Sequence, residues 1–312
     1  MKIGENIEKI VLIVEGGIGK NIMATAVIRA IKKQYPEKKL VVVAGCSEVF
    51  FNNPRVKRVY NFGNPLHFFE DNVEATTVIL KIEPYLHPDY IAKKKHLVEC
   101  WCEMIGIEYD GSKPDLYLTP NEKDAAEKRK IEIAKKKPLL LIQWSGGKFP
   151  DEPTESKHRE AMAAMYRRSI PKDEIQKVVD NLKEEYHIGI IGHTNYPDIT
   201  GADKIFHPIR NTIALLSVAD KFIGIDSFAM HALAAFEKNG LIYWGGTSPI
   251  CLGYDIHTNI SKVACPEPFC HRPNSYLLDI QPNGAMWDCT YGETCLSYKA
   301  EEILEEFKRK GV

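Results

Sequence analysis

The sequence predicts an α/β protein of two domains, each a parallel sheet covered by helices. In the first half, apolar runs typical of buried strands alternate with segments of helical period. Strands that alternate with helices form βαβ units, whose strands lie parallel. The alternation starts again at Pro138, and a chain of 312 residues exceeds the size of about 250 to 300 residues at which one core stops growing. We therefore expect two Rossmann-like domains that meet near residue 137.

The first domain, residues 1–137, contains three apolar runs that predict strands and three segments that predict helices. The strands are expected at 9–14, 40–44 and 56–62, and the helices at 21–35, 96–107 and 123–137. Residues 64–92 mix aromatic residues, prolines and histidines without a sustained period. This composition predicts a long functional loop or lid.

The second domain, residues 138–312, repeats the order of the first, because it also opens with a buried strand and a glycine turn. Its strands are expected at 138–144, 187–191, 221–225 and 241–244, and its helices at 172–186, 211–219 and 228–238. Glycine turns follow the strands that end at Trp144, Ile191 and Trp244.

Composition excludes several classes of protein. A net charge of −1 gives no electrostatic reason to expect nucleic acid or a membrane surface as partner. No apolar run approaches the length of a membrane span, so stable membrane insertion is not expected. The first ten residues, MKIGENIEKI, lack the long apolar core of a signal peptide. We expect a cytoplasmic protein.

Residues 15–21, EGGIGKN, follow the first apolar run and resemble a phosphate-binding loop. Glycines let a backbone approach a ligand, and a helix start attracts anions. The full P-loop pattern needs a glycine where Val14 stands and a Ser or Thr where Asn21 stands. In a P-loop that hydroxyl binds the magnesium ion, so this chain lacks the metal ligand at this position. A P-loop nucleotidase is therefore the less favoured alternative.

Residues 222–236, FIGIDSFAMHALAAF, place Asp226 and Ser227 between a strand and a helix. Ligands of such sheets bind beyond the carboxyl ends of strands, where helix amides point. Ser227 and the amides of Phe228 and Ala229 are therefore candidates to hold a diphosphate. His231 lies one turn further along the same helix face. The alternative is that Asp226 or Ser227 caps the helix and His231 is a core histidine.

Eight cysteines fall into two groups. Four look isolated and are expected to be small core residues: Cys46, Cys100, Cys102 and Cys251. The others lie within residues 265–295, spaced C-x₄-C and C-x₅-C: Cys265, Cys270, Cys289 and Cys295. Four thiolates suit tetrahedral zinc or iron, which would stabilise a segment rich in proline and glycine. Disulfides or unlinked thiols are the alternatives.

Several motifs, in a shared order, resemble the heptosyltransferase family, whose members move ADP-heptose onto lipopolysaccharide. The family pattern of VGxDSGxxHxAAA followed by GxTxP is similar to VADKFIGIDSFAMHALAA followed by WGGTSPICLG. The stretches GIGKNIMATAVIRAIKKQYP, VFFNNPRVKRVYNFG and RRSIP resemble further family segments. The ending CPEPFC…CTYGETCLSYKAEEILEEF resembles the cysteine-bearing tail of several members. The resemblance runs from residue 9 to about residue 308.

The resemblance implies a GT-B glycosyltransferase, in which two Rossmann-like domains face each other across a cleft. It implies inverting transfer of a sugar, heptose in the family, from a nucleotide sugar to a hydroxyl of a glycan, a lipopolysaccharide-like molecule or a protein. The N-terminal domain is then the acceptor side, and no catalytic metal is expected. The implied donor-binding residues are Gly16, Gly17, Gly19, Ser145, Gly146, Lys148, Arg168, His193, Asp226, Ser227, Phe228, Ala229, Met230 and His231.

Three departures from the family pattern affect the catalytic residues. Lys20 replaces the aspartate that serves the family as acceptor base, and Phe228 replaces a glycine. The acidic residue that usually follows the strand ending at Ile191 is absent, and His193, Thr194 and Asn195 stand there instead. An ammonium is a poor base, so we expect Lys20 to face a phosphate or an acidic acceptor and Glu15 to act as base. A GT-B-like protein that binds nucleotide sugars without turnover is the alternative.

Overall fold

The computed structural model describes residues 3–63, 66–146, 168–193, 196–262, 268–269 and 297–311. The chain forms two compact units. Unit 1 comprises Met1–Pro120 and Ala234–Phe236, and unit 2 comprises Asn121–Leu233 and Glu237–Val312. None of the helices in the described ranges is both long enough and apolar enough to cross a membrane.

Unit 1 is built on a parallel sheet. Its elements are β1 (Lys9–Val14), α1 (Ile18–Gln34), β2 (Lys39–Ala44), β3 (Arg58–Asn61), α2 (Phe68–Asn72), β4 (Thr77–Lys81), α3 (Pro88–Ile91) and α4 (Leu97–Ile105). Short 3-10 turns lie at Ser47–Phe50 and Pro84–Leu86. Among the described residues, the strand order is β3-β2-β1-β4, and every neighbouring pair is parallel. Because β1 lies between two strands and under α1, its sequence is apolar on both faces.

The prediction of a long loop or lid over residues 64–92 is wrong. The described part of this segment contains α2, β4 and α3, and β4 hydrogen-bonds to β1 along its whole length. Leu80 of β4 is buried, whereas Ile79 is exposed. An edge strand of five residues between polar residues and prolines has too short an apolar pattern to stand out from a loop.

Unit 2 contains a larger parallel sheet. Its elements are α5 (Pro120–Ala134), β5 (Leu139–Gln143), α6 (Lys172–Leu182), β6 (His187–Ile191), β7 (Asp203–Ile205), α7 (Ile209–Val218), β8 (Lys221–Ile225), α8 (Phe228–Ala235), β9 (Leu241–Trp244), α9 (Pro249–Leu252), β10 (Thr258–Ser261) and α10 (Ala300–Lys310). In the described ranges the strand order is β10-β9-β8-β5-β6-β7. The sequence did not predict β7 and β10, which are short, nor α10.

Helix α5 packs within unit 2, although the sequence placed it in the first domain. Its Lys130 Nζ lies 2.7 Å from Asp220 Oδ1. Arg210 donates two hydrogen bonds of 2.7 Å to the carboxylate of Glu122. The compact units therefore divide between Pro120 and Asn121 rather than near residue 137. The restart of the strand pattern marks the next sheet, not the helix that packs beside it.

Each sheet has a point at which the strand order reverses. In unit 1 the chain passes from β1 to β2 and β3 on one side, then returns to β4 on the other side of β1. In unit 2 it passes from β5 to β6 and β7, then returns to β8 beside β5. Ligands of doubly wound sheets bind outside the carboxyl ends of the strands at such points. The turns after β1, β4, β5 and β8 therefore lie where such sheets bind their ligands.

Candidate functional site

In unit 2, the turns after β5 and β8 are joined by a hydrogen bond between buried side chains. Ser227 Oγ donates to Oε1 of Gln143, the last residue of β5, at 2.5 Å. Ser227 directly precedes α8, so this bond fixes the start of the helix against the neighbouring strand. The amides of the first helical turn have no partner within the helix. The sequence indicated Ser227 but not Gln143, whose signal is a polar residue ending an apolar strand.

Asp226 lies beside this bond and is almost fully buried, with 5% of its surface exposed. Burial raises the pKa of its carboxyl group, while Arg168 and the Thr247 hydroxyl act in the opposite direction. Arg168 Nη1 lies 3.9 Å from Asp226 Oδ2. The turn thus holds a buried acid next to a partly exposed cation.

Arg168 also lies directly over the glycine turn after β5. A Cβ atom added to Gly146 would be 3.4 Å from Cζ of Arg168, an ordinary van der Waals distance, so the guanidinium lies against the backbone of this turn. Two hydrogen bonds fix residues 168–170 beside this turn. One joins the Oγ atoms of Ser145 and Ser169 at 2.8 Å, and in the other the Ile170 amide donates to the Trp144 carbonyl at 2.9 Å. The structure therefore brings together four of the predicted donor-binding residues: Ser145, Gly146, Arg168 and Asp226.

Tyr196 supports the glycine turn after β5, a role that the sequence did not indicate. Its hydroxyl donates to the Ser145 carbonyl at 3.1 Å. A Cβ on Gly192 would lie 2.3 Å from the Tyr196 ring, so only glycine leaves space for this ring. The predicted residue His193 follows Gly192, and its ring centroid lies 5.9 Å from that of Tyr196. His193 thus adjoins the residue that supports Ser145.

Most side chains at the start of helix α8 are buried, so they are not exposed to a ligand. Phe228 is half-buried, whereas Ala229 and Met230 are fully buried. His231 is buried, and its Nδ1 lies 2.8 Å from the Tyr254 hydroxyl. Its burial fits the alternative of a core histidine, and the donor-binding role of His231 stays a prediction. A ligand at this end of β8 would meet the first amides of the helix.

In unit 1, Asn21 stabilises the glycine turn after β1. Its side-chain amide donates to the carbonyls of Gly16 at 3.1 Å and Gly17 at 2.9 Å, and its oxygen accepts from the Cys46 amide at 3.3 Å. Gly16 has a φ of +99°, a conformation that favours glycine. Gly19 lies in the first turn of α1 and is half-buried. The residue at the magnesium position of a P-loop is thus engaged in holding the turn closed.

Lys20 and Glu15 each pair with a partner that follows or ends β4. Lys20 Nζ lies 3.0 and 2.9 Å from the two carboxylate oxygens of Glu83. Glu15 Oε1 lies 2.5 Å from Lys81 Nζ. The expectation for Lys20 did not include Glu83, because the partner is 63 residues away in sequence. The roles predicted for Glu15 and Lys20 stay predictions.

Several predicted site residues lie outside the described residues: Lys148, Cys265, Cys270, Cys289 and Cys295. Of the other cysteines, Cys46 is partly exposed, whereas Cys100, Cys102 and Cys251 are buried. Burial and the nearby Glu48 raise the pKa of Cys46 to about 11. Cys100, Cys102 and Cys251 are therefore core residues, as the sequence predicts, whereas Cys46 is only partly buried.

The structure is similar to those of known glycosyltransferases, although the sequence itself matches no family model and no curated protein. A glycosyl transferase of family 9 from Veillonella parvula shares 13% identity with a TM-score of 0.67, over 99% of this chain and 98% of its own. ADP-heptose lipopolysaccharide heptosyltransferase II of E. coli shares 13% identity with a TM-score of 0.66, and the match covers 96% of this chain and 98% of its own. The iron-containing glycosyltransferase TibC of E. coli shares 13% identity with a TM-score of 0.66, and the match covers 98% of this chain and 77% of its own.

These similarities confirm the fold that the sequence motifs indicated. The chain has two parallel α/β sheets arranged along the sequence as in glycosyltransferases of the heptosyltransferase type, over nearly its whole length. Identity of this level shows the fold alone, so the donor, the acceptor and the reaction belong to the proposals below.

Proposed function

We propose that this protein is a glycosyltransferase that moves a sugar, with inversion, from a nucleotide-sugar donor to an acceptor hydroxyl. The observation that carries the proposal is the convergence of Gly146, Arg168, Asp226 and Ser227 where the sheet of unit 2 reverses its strand order. The fold shared with known glycosyltransferases supports it. Heptose is the first candidate sugar, because similar structures include heptosyltransferases, one of them described with ADP-D-β-D-heptose.

We place the donor diphosphate at the start of α8. The first amides of this helix and its dipole favour an anion. Arg168 adds a guanidinium, which can hold a phosphate through two parallel hydrogen bonds. Positive groups at this place stabilise the charge that develops on the departing diphosphate. In this proposal Ser145, Gly146, Lys148 and His193 line the same donor site.

The reaction also needs a base that accepts the proton of the acceptor hydroxyl as its oxygen attacks the anomeric carbon. We assign this role to unit 1, the acceptor side of the proposal. Glu15 is the candidate that the sequence indicates, next to Gly16, Gly17 and Lys20. The acceptor is a glycan, a lipopolysaccharide-like molecule or a protein, and the expected place of reaction is the cytoplasm.

We further propose that Cys265, Cys270, Cys289 and Cys295 bind one zinc or iron ion. Their spacing supports a single thiolate site, and the similar glycosyltransferase TibC is described as iron-containing. The role of the ion would be structural, since it would fix a segment that prolines and glycines interrupt.

Thermal-shift measurements with ADP-, UDP- and GDP-sugars, free nucleotides and ATP with magnesium test the proposal. We expect one class of nucleotide sugar to raise the melting temperature without magnesium. Release of free nucleotide from that sugar, on addition of acceptor extracts, then shows transfer. Stabilisation without release would favour the alternative of an inactive nucleotide-sugar-binding protein, to which the lysine at position 20 points. Stabilisation by ATP only with magnesium would favour a nucleotidase.

A further inference from the structure

The ion pair between Lys20 and Glu83 lies at the carboxyl end of the unit 1 sheet, where the strand order reverses. Lys20 is in the first turn of α1, directly after the glycine turn that follows β1. Glu83 lies two residues beyond the end of β4, the strand on the other side of the reversal. The pair therefore joins the two turns between which a doubly wound sheet binds its ligand.

The ammonium of Lys20 is enclosed by the protein. Only 6% of its side chain is exposed, and Nζ lies 5.2 Å from the centre of the Tyr85 ring and 5.6 Å from that of Trp101. Ring faces attract cations at these distances. With two aromatic rings and a carboxylate around it, the ammonium is directed at Glu83 and not at solvent.

Glu83 is the member of the pair that remains accessible. Its side chain is 33% exposed, while both oxygens are held by the same ammonium at 2.9 and 3.0 Å. The Tyr85 amide donates to Oε1 at 3.4 Å, which adds a second restraint. A carboxylate oxygen has two lone pairs, so these contacts leave room for a further hydrogen bond.

Glu15, on the opposite side of the glycine turn, is less well oriented. Its side chain is 39% exposed, and its partner Lys81 is 63% exposed. Exposed pairs of flexible side chains hold their geometry weakly. A base must be held within hydrogen-bond reach of the proton that it accepts. By this criterion Glu83 is better placed than Glu15.

We propose that Glu83 is the catalytic base on the acceptor side, and that Lys20 is the positioning residue that orients it. The inference rests on the proposed glycosyl transfer. The acceptor O–H proton passes to the Glu83 carboxylate as the acceptor oxygen forms its bond to the anomeric carbon. The bond from that carbon to the diphosphate oxygen breaks, and its electron pair leaves with the nucleotide diphosphate.

The substitution Glu83→Gln tests this role with little disturbance, because the amide oxygen can still accept from Lys20. Nucleotide release from ADP-, UDP- and GDP-sugars, including ADP-D-β-D-heptose, is measured with water and with acceptor extracts. We expect kcat to fall about 100-fold or more, the scale of a lost general base, with donor Kd unchanged. Glu83→Asp, which keeps the charge but withdraws it, should lower kcat more than tenfold and serves if Glu83→Gln does not fold.

Glu74→Gln is the matched control. Glu74 Oε1 pairs with Lys9 Nζ at 2.8 Å, beside the amino ends of β4 and β1, the same two strands. This variant removes a similar ion pair from the amino-terminal end of the same strands, opposite the proposed site, and should keep the wild-type kcat. Lys20→Met should lower kcat more than it raises the donor Kd, and Lys20→Arg should restore most of the rate.

The outcomes separate the two proposals. Turnover by Glu83→Gln within threefold of wild type would overturn the assignment and leave glycosyl transfer intact. Donor binding by the wild type without any nucleotide release would overturn the role of Glu83 together with turnover, while donor binding stands. Absence of binding to every nucleotide sugar would refute the proposed function itself, and with it a base for that reaction.

Discussion

Arg168 Nη1 lies 3.9 Å from Asp226 Oδ2, at the end of β8 where the chain turns into α8. The separation exceeds that of a hydrogen bond, so the two groups attract each other electrostatically across the turn. A buried acid therefore keeps a cation next to the first amides of a helix. This arrangement supports the proposal that the donor diphosphate binds here.

Replacing Arg168 by alanine should weaken binding of the nucleotide sugar by about 1–3 kcal/mol, the scale of a charged hydrogen bond. The measurement is calorimetric titration with the nucleotide sugar that stabilises the wild type. Arg309→Ala is the matched control, because Arg309 pairs with Glu306 on α10. Equal donor affinities in the two variants would remove Arg168 from the site.

Asp226→Asn should change how stability depends on pH. Burial raises the folded-state pKa of Asp226 above its unfolded value. A raised carboxyl pKa contributes stability that is fully present at low pH and is lost as pH rises from about 4, the ordinary value, through the folded pKa. The free energy of unfolding of the wild type should therefore fall relative to that of the variant as pH rises.

Urea denaturation of both proteins, at steps of about one pH unit between about pH 4 and pH 8, measures the difference in their free energies of unfolding. Asp180→Asn is the control, because its hydrogen bond with Lys183 lowers the pKa of Asp180 and reverses the sign. A difference between the wild type and Asp226→Asn that stays constant, or that grows with pH in favour of the wild type, would show that Asp226 is not buried as described.

Much of the fold follows from local patterns, and the failures have physical reasons. The runs at β1, β6 and β8 are apolar because these strands are buried, so their positions were predicted within a residue. The five-residue strand β4 depends on its pairing with β1, which a local pattern does not reveal. The boundary near residue 137 missed α5, whose contacts with Asp220 and Arg210 are distant in sequence.

The candidate site was predictable to the same extent. Asp226, Ser227 and Gly146 follow strands directly, so the strand pattern alone places them at a ligand-binding edge. Arg168 needed the family resemblance, since nothing local marks it. Glu83 was not identified, because its contact with Lys20 spans 63 residues. Long-range ion pairs have no periodic signal in a sequence.

Asn21→Ala should destabilise unit 1 without creating or abolishing a magnesium site. Its buried side chain makes hydrogen bonds with Gly16, Gly17 and Cys46. The loss of these partners should lower the free energy of unfolding by about 1–3 kcal/mol. Gln34→Ala, at an exposed position of the same helix, is the control and should stay within about 0.5 kcal/mol. Equal stability of the two variants would contradict the structural role of Asn21.

The four-cysteine proposal is tested by elemental analysis of untagged protein. We expect about one equivalent of zinc or iron per chain, as for a tetrahedral thiolate site. The double variant Cys265→Ser and Cys270→Ser should lose the metal, whereas Cys251→Ser, at a buried position outside the four-cysteine segment, should retain it. Metal content well below one equivalent in the wild type, or an unchanged content in the double variant, would refute the site.

Hydrogen exchange of the backbone amides, with and without a bound nucleotide sugar, tests whether the donor binds at the turns after β5 and β8. ADP-D-β-D-heptose is the first probe, followed by UDP- and GDP-sugars. We expect the probe to slow exchange at residues 144–146 and at 227–229, in the absence of magnesium. Protection confined to residues 15–21, obtained with ATP and magnesium and not with any nucleotide sugar, would contradict it.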